Sequence, residues 1–287
     1  MNYSNWCSRA HPGLLILLVD QNSYMSATCD LETGLQRPKI KSFAEYTSFW
    51  LNLMLAEIGL SVTMGTYLSR VMKVVIITYG NEIAVSHNSW IDILLSNENI
   101  SMDSFVREIP DGAGGVLDLH FDLRRCVNPI SSGSSKLDDA YLMARNVILS
   151  EKLFNTKFVQ DSPVPIIINI TSEKCIYSKN KLRDIINSIN SITFDDGNPI
   201  ICNCVLSNSQ FCVNFPLYED ITNGAPVLKD LYEVSSVIPE TYITVLKYWG
   251  YPNIQNHARA LILNGLRPII DFSKIQLGGS EPYLLRY

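Results

Sequence analysis

The chain has 287 residues, 47% of them hydrophobic and 18% charged, with a net charge of −5. That length and composition suffice for a large buried core and exclude a wholly disordered chain. The acidic balance, with no run of Lys and Arg longer than Arg124-Arg125, argues against nucleic acid or an anionic membrane as the main partner.

The first element is Leu14–Val19, an unbroken apolar run that ends in one carboxylate, Asp20, and then a polar turn, Gln21 to Met25. Such a run reads as a parallel strand buried on both faces, delivering an acidic group to the C-terminal edge of an α/β sheet. It is far too short to span a bilayer. It is preceded by His11-Pro12-Gly13 and followed by Asp20 instead of a small-residue cleavage site, so no signal peptide is expected and a cytoplasmic location is. Ser42 and Glu45 form a Ser-x-x-Glu capping box for a first helix, with Phe43, Phe49, Trp50, Leu53 and Ala56 at helical spacing. Lys73–Tyr79 is a strand closed by Gly80, and Ser89–Leu119 is expected to be irregular, with a glycine-rich turn at Asp111–Gly115.

A second helix is expected from Leu137 to Phe154, and Val164–Ile170 is a second central strand. Leu182–Ile189 follows as a helix burying Leu182, Ile185, Ile186 and Ile189, and Ile200–Leu206 as a strand. Helical patterns at Val227–Tyr232 and Thr241–Trp249 precede a short strand at Ala260–Leu263. Strands separated by helices of this length give an α/β fold, a doubly wound and mostly parallel central sheet flanked by helices, Rossmann-like in plan. With no repeat and no long linker, residues 1–287 read as one domain with a core of about 12–272, the first dozen and last fifteen residues being the least regular. The seven cysteines, Cys7, Cys29, Cys126, Cys175, Cys202, Cys204 and Cys212, are irregularly spaced and suit reduced thiols; Cys202 and Cys204 alternate on one strand face, as core residues do.

Several chemistries lack a necessary part. Asp20-x-Asn22 is short of the second aspartate that haloacid-dehalogenase-type phosphoryl transfer uses as acid and base. Asp111–Gly115 carries no Gly-Lys-Ser/Thr, there is no Gly-x-Ser-x-Gly elbow, and His11, His87, His120 and His257 have no metal-ligand spacing. Asp138 and Asp139 open a helix, where the helix dipole favours anions.

Three loops should meet at the sheet edge: Asp20–Met25, Ser132–Leu137 and Ile170–Glu173. Here the chain resembles a von Willebrand factor A (vWA) domain, and within that family the bacterial tellurite-resistance type. Family members hold a divalent ion with Asp-x-Ser-x-Ser, a threonine turn and an Ile-Thr-Asp-Gly turn. By that resemblance Asp20 stands at the first aspartate, Asn22 and Tyr24 at the two serines, Ser135 at the threonine and Ser172 at the second aspartate. Further segments follow the family's order, among them Thr78-Tyr79-Gly80, Asp196-Gly197-Asn198, Leu231–Pro239 and Ala258–Asn264. Mg²⁺ wants octahedral oxygen ligands, commonly with one or two carboxylates. One carboxylate, an amide, a phenol and two hydroxyls make a degenerate metal-ion-dependent adhesion site (MIDAS), so no cofactor is expected beyond weak Mg²⁺ or Mn²⁺. Glu173 could substitute for the missing aspartate through a rotated turn, and Lys136 could supply the positive charge instead of the ion by reaching Asp20.

The resemblance implies a protein-binding scaffold and not an enzyme. Its partner would be another protein, a Ser/Thr kinase or a PP2C-type phosphatase in a stress or defence system, docking on Ser23, Tyr24, Met25, Ser134, Lys136 and Glu173. The rival expectation is a metal-dependent phosphatase or nuclease acting through Asp20.

Overall fold

The computed structural model describes residues 3–64, 70–134, 136–154, 162–209 and 212–277. Strand β1 (Gly13–Asp20) lies at the centre of a seven-stranded sheet, parallel to β2 (Met72–Tyr79) on one side and β6 (Ile166–Ser172) on the other. Beyond β2 comes antiparallel β3 (Ile83–Trp90); beyond β6 come parallel β7 (Ile200–Leu206) and β9 (Leu261–Leu263), then antiparallel β8 (Val213–Asn214). The chain leaves β1 towards β2 and later returns to its other side with β6. This puts the topological switch point beside β1, the place where open α/β sheets form a crevice at their C-terminal edge.

Every residue of β1 is buried, and its side chains alternate between two cores. Leu15, Leu17 and Val19 face α1 (Phe43–Met64), α2 (Ile91–Ser96), α6 (Glu240–Tyr248) and α7 (Arg267–Lys274). Leu14, Ile16 and Leu18 face α3 (Leu137–Phe154), α4 (Lys179–Asn190) and α5 (Pro226–Val234). The expected doubly wound, mostly parallel α/β architecture is present, and Cys202 and Cys204 are fully buried core residues. Among the described residues, no helix is long and apolar enough to cross a membrane.

The capping box forms as read. Ser42 Oγ accepts from the Glu45 N–H at 3.2 Å, and Glu45 Oε2 accepts from the N–H groups of Lys41 and Ser42. Helix α1 is buried on more than its sheet face, and polar hooks satisfy its outer side. Ser48 Oγ and Asn52 Nδ2 donate to the Val127 carbonyl, the Val127 N–H donates to Asn52 Oδ1, and Glu57 pairs with Lys274 of α7 at 3.2 Å. Both members of that ion pair are 1% exposed.

The stretch expected to be irregular is largely ordered as strands. It holds the end of β3, helix α2 and a second, two-stranded sheet made of β4 (Met102–Pro110) and β5 (Val116–Arg124). The period-two alternation Leu117, Leu119, Phe121, Leu123 against Asp118, His120, Asp122, Arg124 is a strand signature. A strand exposed to water lacks the continuous apolar run that marks the central strands, which is why it reads as irregular. Asp111–Gly115 is the hairpin turn, closed by Asp111 Oδ1 accepting from the Ala113 and Gly115 N–H groups, each at 2.8 Å. Helix α7 follows β9 where no helix is expected, and the last ten residues, 278–287, lie outside the described ones.

Breaking one side of a buried ion pair strands the other charge. Glu57→Gln should therefore destabilise the protein by about 3–5 kcal/mol in urea unfolding, and the double variant Glu57→Leu/Lys274→Met should recover most of that loss.

Candidate functional site

Strand β1 ends on Asp20, which is 1% exposed. In the ladder its neighbour is Tyr79 of β2, and Val19 is paired with Ile170 of β6, so Thr171 continues the same row on the other side. Thr171 Oγ1 donates to Asp20 Oδ2 at 2.6 Å, and the Asn22 N–H donates to Oδ1 at 2.8 Å. The Ser172 N–H and the Asn22 side-chain amide also bond the carboxylate. Burial pushes the Asp20 carboxyl up to about 6 despite these bonds, each of which pulls it down.

The three loops expected at this edge do meet. The Ser23 N–H donates to the Gly133 carbonyl at 3.1 Å, the Ser132 N–H to the Gln21 carbonyl at 2.6 Å, and the Ser134 N–H to the Gly80 carbonyl at 3.0 Å. The approach is close enough to require glycine. Gly133 has φ +89°, and a Cβ there would lie 2.3 Å from the Asn81 nitrogen and 2.4 Å from the Gly80 carbonyl carbon.

Their side chains do not assemble as the resemblance implies. Asn22 is buried and turned to Asp20. Ser172 is buried as well, its Oγ accepting from the Lys174 N–H at 3.4 Å while its own N–H serves Asp20. Tyr24 sits in the 3₁₀ turn Ser23–Ser26 and is 43% exposed, whereas Met25 beside it is fully buried in the core. Met25 is thus a packing residue and not part of a docking surface. Glu173 is exposed, so the rotated-turn substitution that would bring it to the buried Asp20 is absent. Lys136 is exposed too, and among the ion pairs of the described residues none joins it to Asp20. Ser134 is exposed at the rim, and Ser135 lies outside the described residues.

These donors fit a divalent cation poorly. The lone carboxylate has its oxygens engaged by four protein groups, and among the described residues no group of three His, Cys, Asp or Glu side chains could hold a metal ion. Above the carboxylate, Ser23, Tyr24, Phe43, Ser172, Glu173 and Lys174 line a surface cleft of about 190 Å³ that Asp20 does not line.

Beneath Asp20 runs a polar chain not anticipated from the sequence. Tyr79 Oη donates to Asn169 Oδ1 at 2.9 Å, Asn169 Nδ2 to Asn203 Oδ1 at 2.9 Å, and Tyr141 Oη to the same oxygen at 2.8 Å. Asn203 Nδ2 donates to Ser235 Oγ at 3.0 Å, and that hydroxyl donates to the Leu231 carbonyl of α5 at 2.7 Å. The chain ties β2, β6, β7, α3 and α5 together under the site. A signal was present: each asparagine interrupts an apolar strand, and the two are paired in register. Buried polar groups in such runs are retained only when satisfied.

No protein-family model and no curated protein matches the chain. Among solved structures it is similar to the conserved hypothetical protein BatB from Bacteroides thetaiotaomicron, at 12% identity over 72% of each chain with a TM-score of 0.38. It is also similar to a von Willebrand factor type A structure from Catenulispora acidiphila, at 10% identity over 76% of this chain and 37% of that one, TM-score 0.33. An aerotolerance-related membrane protein from Bacteroides fragilis follows, at 14% identity over 72% and 73%, TM-score 0.36. The chain's own strand order and the helices covering both sheet faces define its doubly wound α/β fold.

The raised Asp20 carboxyl sets a pH dependence. The unfolded chain releases this proton near pH 3.8 and the folded one only near 6, so ionisation across that window favours unfolding and costs about 3 kcal/mol of stability once complete. Asp20→Asn, measured by urea unfolding in EDTA, should be more stable than the parent by up to about 3 kcal/mol above pH 7, the gain vanishing below about pH 4. Asn169→Ala should cost about 1–3 kcal/mol at either pH by taking from Tyr79 Oη its Asn169 acceptor, while Asn203 Oδ1 keeps the Tyr141 hydroxyl.

Proposed function

We propose that this chain is a protein-binding module of the vWA type whose metal-centred anchor has been replaced by a docking surface of side chains. The observation that supports it best is the separation of Asp20 from the surface. The acid that a vWA site offers to a metal, and through it to a partner, is consumed in the loop framework. The exposed groups around the cleft include Tyr24, Glu173 and Lys174. An exposed tyrosine sharing a cleft with an acid and a base, mounted on loops held by backbone bonds, suits recognition of a protein surface. Asp20 is enclosed by the loop framework and does not touch the partner, and the module carries no catalysis of its own.

From the resemblance in its loops we infer the tellurite-resistance branch of the family, with a cytoplasmic Ser/Thr kinase or PP2C-type phosphatase as partner. Tyr24→Ala combined with Glu173→Ala should weaken binding to such a partner, encoded beside this chain, at least tenfold by calorimetry, whereas Asp20→Asn should leave it nearly unchanged. Titration of the chain with Mn²⁺ or Mg²⁺ should give no heat of micromolar binding. Metal-dependent turnover of a phosphate ester or nucleic acid, abolished by Asp20→Asn, would establish the hydrolase reading instead.

A further inference from the structure

The β4–β5 hairpin is amphipathic and only half covered. On one face Phe105, Phe121 and Leu123 pack at its base, with the Phe105 ring stacked on Phe121 at 5.6 Å and 5.1 Å from Phe49 of α1. The same face continues towards the turn with Leu119, 37% exposed, and Leu117, 57% exposed. On the other face of β5, Asp118, His120 and Asp122 alternate.

The two edges of the hairpin are treated differently. The outer edge of β4 is closed: the Val106 N–H donates to the Arg37 carbonyl, and the Gln36 and Arg37 N–H groups donate to the Val106 carbonyl. Near the turn, that edge carries Pro110, which has no N–H to offer. Since Val106 turns its N–H and C=O away from β5, its ladder partner His120 must turn its own away from β4. By alternation the backbone groups of Val116, Asp118, His120 and Asp122 all point outward. Among the described residues, no backbone hydrogen bond from outside the hairpin reaches them. β5 therefore offers a long strand edge with exposed apolar side chains and without proline, lysine or bulge; of the devices that keep such edges from pairing it has only the charges of Asp118, Asp122 and Arg124, all on its polar face.

We propose that the β5 edge pairs with the β5 edge of a second copy of this chain, antiparallel about a two-fold axis through Leu119. The register follows from the side chains. Centred on Leu119, the outward-bonding residues pair as Asp118 with the second copy's His120, and the reverse, setting a carboxylate opposite an imidazole twice. On the apolar face, Leu119 meets its own counterpart and Leu117 meets the second copy's Phe121. The exposed part of one apolar face thus lies beside the covered part of the other, so both become continuous. Centred one residue later, on His120, the same strands would set Asp118 against Asp122 twice, placing like charges directly opposite. The paired hairpins form a single four-stranded sheet with its two free edges joined, an isologous interface.

The test uses the full chain in a Cys212→Ser background, since Cys212 is exposed. Sedimentation equilibrium over a concentration series should show a shift from the 32.3-kDa monomer to twice that mass. Asp118→Pro removes an outward N–H without touching the β4–β5 ladder, and Leu119→Lys sets two ammonium groups face to face at an exposed position; each should abolish the shift with an unchanged circular dichroism spectrum. Under mild oxidation Leu119→Cys should cross-link as a disulfide dimer, and Leu117→Cys should not. A monomer at every concentration, a dimer that survives Leu119→Lys, or equal cross-linking at 117 and 119 would overturn the proposal.

Discussion

Everything in this molecule is arranged around a strand that has no face for water. Both sides of β1 are apolar, so the sheet must be covered twice, and the helices divide between the two faces accordingly. The strand nevertheless ends on a carboxylate. Burying an ionised group without partners is prohibitive, and the chain resolves the conflict by bringing the loop that follows β1 and the end of neighbouring β6 to Asp20 as donors. The loops at the sheet edge are in this sense a consequence of where the central strand stops.

The same logic extends below. Tyr79, Asn169, Asn203, Tyr141 and Ser235 form a chain in which each hydrogen-bonding group finds another, ending on a helix carbonyl. A polar seam through an otherwise apolar core fixes the register of β2, β6 and β7 and the placement of α3 and α5 more narrowly than aliphatic packing can, because each bond has one partner and one direction. The loops carrying Tyr24 and Glu173 therefore stand on a rigid base. Burial also pushes the Cys175 thiol next to this seam up to about 12, which makes it a packing group and not a nucleophile.

The elements legible in the sequence share one property: their hydrophobic pattern is complete. Helix α3 runs from Leu137 to Phe154 as read, and β7 from Ile200 to Leu206, because each buries a face of full period. The capping box before α1 is equally local, a matter of two side chains and three N–H groups. The hairpin read as irregular because its strands are exposed and only its alternation marks them, and α7 because its apolar stripe is short. The three loops of the site were legible from sheet topology. The role of Thr171 was not, since a threonine at a strand end looks like any other until the register places it beside Asp20.

The sequence by itself determined the sheet and its central strand, the alternation of helices that covers both faces, and the meeting of three loops at one edge. Those follow from periodicity and chain direction, which are properties of short segments. Only the tertiary structure decided what the meeting produces. Whether Asp20 faces solvent or four internal donors, whether Tyr24 points to an ion position or lines a cleft, and whether Glu173 reaches inward depend on the burial and hydrogen-bond geometry that long-range packing imposes on the loops. Segments distant in sequence set those quantities, among them Gly80, Gly133 and Thr171, and no local pattern around Asp20 encodes them.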